Sequence, residues 1–456
     1  MKWQLSIIRI ICTTFNIVRV FLYKPKKTKK YSGAKSKAEL SEEQLSIFND
    51  LDNSTHHSFV TGKAGTGKSV LLQYFAENTH KQVIKLAPTG IAAMNIKGQT
   101  IHSFFKLPPG FINNKVSINK ETKDLIKHVD VVIIDEISMV RVDTIDAIDF
   151  ILRKSKKIDV PFGGIQLILF GDVYQLPPVI EGSQVREYLY EKYGEPYFFN
   201  AKVWDETTLC KYELQTVFRQ SDKRFKAILN AIRIGKPTVY DFTTLNTRLI
   251  SQGLPASRTA ITLTSTNSAA QRINAYRCNE LKTRSQIYYA SITGKIAANA
   301  FPTESVLSLS IGAQVMFLKN DISNRWANGT IGKIVSFSQQ SVRVAVGAKI
   351  FQVYPVIWEK YNYTYDDEKE LIEQVLTSTF TQLPLKLAWA ITIHKSQGCT
   401  YSSVIVDLSG GAFAHGQTYV ALSRCTSLSG LYLRSPIKAS DIIVEPAILQ
   451  FMGVRA

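Results

Sequence analysis

The stretch GKAGTGKS at residues 62–69 holds three glycines, two lysines and a serine, between HSFV and VLLQYFAEN. The pattern G-x-x-x-x-G-K-[ST] is met by Gly62, Gly67, Lys68 and Ser69. Glycines let backbone N–H groups approach phosphate oxygens, and a helix N-terminus adds a favourable field for anions. Here Lys63, Ala64, Gly65, Thr66 and Gly67 would form a phosphate cradle. Lys68 would reach the β- and γ-phosphates, and the Ser69 hydroxyl would ligate Mg²⁺. The bland alternative is a turn that binds nothing. The apolar run before it and the helical spacing after it weigh against that.

Phosphate chemistry also needs a carboxylate on the metal side. VVIIDE supplies Asp135 for Mg²⁺ and Glu136 as a base for the attacking water. The alternative is a strand that ends in exposed acids. LILFGDVYQLPPV (167–179) ends another apolar run with Asp172 and Gln175. In open parallel sheets ligands bind at the carboxyl ends of strands. Gln175 would then sense the γ-phosphate or orient water, with a loop cap as its plain alternative.

These residues need a sheet to hold them. From about residue 40 the pattern is α/β. LSEEQLSIFNDL reads as a helix capped by Ser41. HSFVTG, QVIKLAP, VDVVIIDE and IQLILFGD read as buried strands, with helical spacing in KSVLLQYFAEN and VDTIDAIDFILRKS. Continuous apolar runs predict a parallel sheet covered on both faces. A second α/β unit begins near TAITLTSTN and resumes with KLAWAITIHKSQG and SSVIVDL. Between roughly 300 and 380 the residues alternate instead, with a turn signal at Asn328-Gly329. That texture predicts a small antiparallel barrel inserted in the second unit.

A chain of 456 residues has room for two or three domains, and 45% hydrophobic residues suffice for their cores. The net charge of +18 points to a polyanionic partner. Ten of the positive charges lie in residues 1–38, which have no acid, so 18 less 10 leaves +8 for the rest. Arg9 and Arg19 interrupt the apolar N-terminal run, making it a poor transmembrane span. It suits a mitochondrial presequence, a surface-bound helix or simply translated upstream sequence. The five cysteines form no C-x-x-C pair, which argues against a zinc module and for a reducing compartment.

Seven segments in order, GKAGTGKS, APTGIAAMNIKGQTIHSFF, IIDEISM, GDVYQLPPV, FRQ, TIHKSQGCTYSSVIVD and TYVALSRCTS, carry a resemblance. The chain resembles superfamily 1 helicases of the Pif (petite integration frequency) family, which are RecD-like, over about residues 38–435. EISMVRVDTIDAIDFILR followed by PFGG resembles the bacterial-type branch.

The resemblance implies two RecA-like P-loop NTPase domains with parallel sheets and a small inserted SH3-like β-barrel. The first domain would span 38–212, with a duplex-splitting wedge at about 105–128. The second would span 213–298 and 381–456, the insert 299–380, and a basic extension 1–37. Gln44 matches the glutamine that reads adenine, and Arg219 and Arg424 match two arginines that reach the γ-phosphate. Thr89, Thr100 and His102, with Thr392, His394 and Lys395, would lie on the DNA backbone. Phe104 and Tyr174 would stack on bases or pack in the core.

The implied activity is ATP-dependent, Mg²⁺-assisted unwinding of duplex DNA with 5′-to-3′ movement on a single strand. Such activity would serve repair, recombination and replication, and telomere maintenance if the source is eukaryotic. Expected partners are single-stranded DNA and single/double-strand junctions. No specific protein partner is expected, nor a membrane for the body of the chain. The compartment would be the cytoplasm (nucleoid) in a bacterium, or the mitochondrion or nucleus in a eukaryote. Competing readings are a DNA-stimulated ATPase that remodels nucleoprotein without strand separation, an RNA-directed helicase, and a degenerate binding module. The intact Lys68, Asp135, Glu136 and Arg424 oppose the last.

Overall fold

Six short apolar runs build the first sheet: β1 (His57–Gly62), β2 (Val83–Ala87), β3 (Gln99–Thr100), β4 (Val131–Ile134), β5 (Gln166–Phe170) and β6 (Leu209–Leu214). They are parallel, in the order β3-β2-β4-β5-β1-β6. Every residue of β1, β4 and β5 is buried, so no in–out alternation reaches the sequence. The period of two survives as a choice between two cores. Phe59, Val132, Ile134, Leu167 and Leu169 face one, while Val60, Val131, Ile133, Ile168 and Phe170 face the other.

Helices α1 (Glu42–Asn53) and α2 (Lys68–Asn78) cover the second core through Ile47, Leu51, Leu71, Leu72 and Phe75. The helix Val142–Lys156 covers the first through Ile145, Ile148, Ile151 and Leu152. Ser41 and Gln44 form a reciprocal capping box at the start of α1. The computed structural model describes residues 40–454 except 109, 111, 113–117, 181, 219, 221, 251–259, 297–300 and 324. The extension 1–37, Arg219 and residues 109, 111 and 113–117 of the wedge segment therefore lie outside the described residues. The segment's described residues enter the core through Phe105, Leu107 and Ile112 and, from the helix Lys120–Ile126, through Leu125 and Ile126.

The second sheet is also parallel: Ala390–Thr392, Ile261–Thr264, Val404–Asp407 and Leu431–Leu433, in that order. Antiparallel structure interrupts it over a wider range than 299–380. Pairing begins at Ser285–Tyr289, which meets Val306–Ser310. It ends at Leu385–Leu387, the edge of a five-stranded antiparallel sheet.

One part of the alternating run does not join that five-stranded sheet. Val356–Asp366 and Leu371–Gln382 form a long hairpin that reaches the first sheet. Tyr363 Oη accepts the Lys85 N–H (2.9 Å), and Gln99 Nε2 donates to Tyr361 O (2.9 Å). His128 stacks on Tyr365 with ring centroids 3.4 Å apart. Among the described residues no helix is long and apolar enough to cross a membrane.

Candidate functional site

Strands β4, β5 and β1 are neighbours, so their carboxyl ends bring Asp135, Asp172 and the Gly62–Ser69 loop together. Gly67 has φ +81°, and a Cβ there would run into Gln44 Nε2. Gln44 can therefore press on the loop, donating to Gly67 O (3.2 Å) and Thr66 O (3.4 Å). Its Oε1 accepts the Ser41 N–H (3.0 Å), so both ends of this amide are engaged. Lys68 Nζ donates to Gly62 O (2.7 Å) and Lys63 O (3.2 Å). Burial lowers the Lys68 pKa, while Asp172 and Glu136 oppose the shift. Ser69 is exposed in the first turn of α2.

Burial, with the neighbouring Glu136 charge, pushes Asp135 up to about 7. Burial also raises Glu136, against the pull of Lys68 and Arg424. The Glu136 backbone lies in the left-handed region, φ +50°, and its N–H donates to Asp135 Oδ1 (2.9 Å). That conformation is uncommon for a residue other than glycine, and here it aims two acids at one site.

The second half supplies the opposite wall. Arg424 is 1% exposed and follows the helix Gln417–Ser423. It donates to Val420 O (3.0 Å), Ser423 Oγ (2.9 Å) and Cys399 O (3.4 Å), all neutral oxygens. Its charge still reaches Glu136. A cavity of about 190 Å³ beside this wall is lined by Lys63, Ala64, Lys226, Arg233, Tyr419 and Ser423.

Four contacts that motif reading did not single out join the halves. Arg233 pairs with buried Asp172 (3.1 Å) and lies 4.2 Å over the Tyr174 ring. Burial would raise the Asp172 pKa, but Arg233 and Lys68 outweigh it and hold it low. Tyr419 Oη accepts the Ala64 N–H (3.2 Å). Gln397 Nε2 donates to Glu136 Oε2 (3.0 Å) and Gln175 Oε1 (3.3 Å). Gln397 and Tyr419 fall inside TIHKSQG and TYVALSRCTS, so position within a motif was the available signal. Arg233 carried no such signal; only its packing reveals it.

His415 is the fourth. Its Nδ1 accepts the Glu445 N–H (3.1 Å), so its Nε2 donates to Val173 O (2.9 Å). Next to it, a Cβ on Gly416 (φ +68°) would meet the carbonyl oxygens of Tyr174 and Gln175. Burial lowers the His415 pKa to about 4. The unfolded chain takes up this proton near 6.5. His415 therefore contributes stability that is full above about 6.5 and is lost as the pH falls towards 4. We expect its ring resonances not to move between pH 7 and 5 in a proton NMR titration. An ordinary midpoint near 6.5 would overturn the buried, neutral ring.

The candidate strand-binding residues fall in two groups. Thr89, Thr100 and His102 line a cavity of about 700 Å³ closed by Trp358, Lys360 and Phe380 of the long hairpin. Thr392, His394 and Lys395 lie in the other half, outside that lining. The three threonines share a feature: each hydroxyl accepts an N–H of the turn that follows, from Ala92 (3.2 Å), Ser103 (3.2 Å) and Lys395 (3.3 Å). Each still has a hydroxyl hydrogen to donate. Burial lowers the pKa of His102, with Arg141 adding to it, and lowers that of His394.

Two stacking candidates are corrected. Phe104 is 4% exposed in the core, edge-on to Phe105 and Tyr363, and Tyr174 is 1% exposed beneath Arg233. A base needs an open ring face, and neither offers one.

A family model described as PIF1-like helicase matches residues 39–239. The ATP-dependent DNA helicase Pif1 of Bdellovibrio bacteriovorus is 35% identical over 436 residues, covering 91% of each chain. The chain belongs to the PIF1-like helicase family. The zebrafish ATP-dependent DNA helicase PIF1 is 34% identical over 416 residues, 86% of this chain. The chain spans 60% of that relative's length. Among solved structures, Bacteroides sp Pif1 in complex with ADP-AlF4 superimposes with a TM-score of 0.85 at 36% identity. That match covers 91% of this chain and 97% of the other. The α/β RecA-like fold is thus shared.

Proposed function

We propose that this PIF1-like chain is an ATP-driven DNA helicase. One observation carries the reading: the second half closes on the phosphate-loop wall of the first, where Tyr419 Oη accepts the Ala64 N–H (3.2 Å) and Gln397 Nε2 donates to Glu136 Oε2 (3.0 Å). A cleft with opposite walls of this kind closes on a triphosphate and reopens when the terminal phosphate leaves. Glu136 takes a proton from water, the water oxygen attacks the γ-phosphorus, and the bond to the bridging oxygen breaks. ADP and phosphate are the products. Lys68 and Arg424, with Arg219 by family analogy, stabilise charge on the transferring group. Gln175 orients the water, and Gln44 lies beside the loop where adenine would be read.

The residues present fit Mg²⁺. Asp135 and Ser69 are hard oxygen donors at the mouth of the phosphate loop, and among the described residues no three His, Cys, Asp or Glu gather at a metal-holding distance. A small cation held by one or two protein oxygens plus phosphates suits such a set. When bound there it would screen charge on the β- and γ-phosphates.

On the strand side, Thr89, Thr100 and Thr392 donate hydroxyls and Lys395 a charge to the DNA backbone. Such contacts position a strand without reading it. The five-stranded antiparallel sheet supports an SH3-like insert, and the segment 105–128 stands where the family carries its wedge. Movement is 5′-to-3′. Duplexes with a 5′ or a 3′ single-stranded tail test this: ATP should drive unwinding of the first only. Unwinding from 3′ tails alone would reject the polarity. ATP hydrolysis with no unwinding from either would favour a nucleoprotein-remodelling translocase.

A further inference from the structure

Gln397 bridges two sites that the proposed function keeps apart. It follows the short turn His394–Ser396, the strand-side loop of the second half. Thr392 caps that turn, Lys395 is exposed on it, and the Gln397 N–H donates to His394 O (3.2 Å). Gly398, next in line, has φ +78° and turns the chain away. A displacement of the turn must therefore carry Gln397 with it.

Its side chain ends in the other half. The two donated bonds, to Glu136 Oε2 (3.0 Å) and Gln175 Oε1 (3.3 Å), join the water-activating acid to the water-orienting amide. The Gln397 Oε1 is buried and has no hydrogen-bond partner among the described residues. An amide left half-satisfied is held at a cost. Gln397 thus links the strand-side turn to the Glu136 carboxylate by a direct hydrogen bond.

We propose that Gln397 is a positioning residue that couples strand binding to ATP hydrolysis. While its amide engages Glu136, one oxygen of the base is occupied by a donor other than water. A strand seated on Thr392, His394 and Lys395 shifts the turn, withdraws the amide and frees the carboxylate. This rests on the helicase reading above and names its internal linkage.

The test is steady-state ATP hydrolysis by the full chain, alone and with saturating single-stranded oligodeoxythymidylate. In Gln397→Ala the ratio of stimulated to basal kcat should collapse about tenfold, the worth of one charge-assisted hydrogen bond. The KM for ATP should stay within about threefold, since Gln397 is not among the residues assigned to nucleotide. Gln397→Glu, which keeps the side chain's size but loses the donors, should collapse the ratio likewise. A ratio retained in both variants, with both rates lowered together, would overturn the coupling role and leave a structural one. A wild-type chain whose hydrolysis ignores the strand would instead overturn the helicase reading, and the linkage with it.

Discussion

Replacing Lys68 by alanine should abolish ATP turnover, lowering kcat by about a thousandfold or more. The ammonium stands where the outer phosphates would lie, held by Gly62 O and Lys63 O rather than by an acid. It is thus available to an anion at little cost beyond two neutral hydrogen bonds. Burial already disfavours its charge, so the free protein loses little stability when it goes. The expected pattern is a folded, dead enzyme: a circular-dichroism melt within a few degrees of wild type, and no phosphate release. Hydrolysis that persists in Lys68→Ala would reject the phosphate site. A collapsed melt would mean that the lysine holds the loop together.

Arg424 carries the second large expectation. Arg424→Lys should lower kcat by about a thousandfold while ATP affinity changes less than about tenfold, the signature of a group that acts mainly on the transition state. Lysine keeps the charge but cannot span Val420 O, Ser423 Oγ and Cys399 O at once. It would leave one or more carbonyls unpaired and place its ammonium differently relative to Glu136. Alanine is the poorer probe, because Arg424 is among the largest fully buried side chains and its loss opens a cavity. Single-turnover hydrolysis and equilibrium binding of a non-hydrolysable nucleotide separate the two effects. A lysine variant within threefold of the wild-type rate would remove Arg424 from the machinery.

The two halves of the chain differ in how much they disclose. Asp135, Glu136 and Asp172 were legible because each sits just past a short apolar run, and Lys68 because it opens a helix after a glycine-rich loop. Parallel strands oblige their carboxyl ends to lie on one edge. The helix Lys68–Asn78 falls where its spacing puts it, since Leu71, Leu72 and Phe75 recur on one helical face. Phe104 and Tyr174 show the opposite case. An aromatic ring beside a motif reads the same whether it faces a cavity or a core, and only packing separates the two.

Local residue order determined the phosphate loop, the acids, the parallel strands and the existence of an antiparallel insert. Tertiary structure alone decided the long hairpin's attachment to β2 and β3 through Tyr363 and Tyr361. It also decided the Arg233–Asp172 pair and the reach of Gln397 to Glu136. The reason is range. A turn, a cap or a strand is specified by neighbours a few residues apart. These partners lie 61 and 261 residues apart in the chain, and an isolated Arg or Gln carries no mark of the acid it will meet.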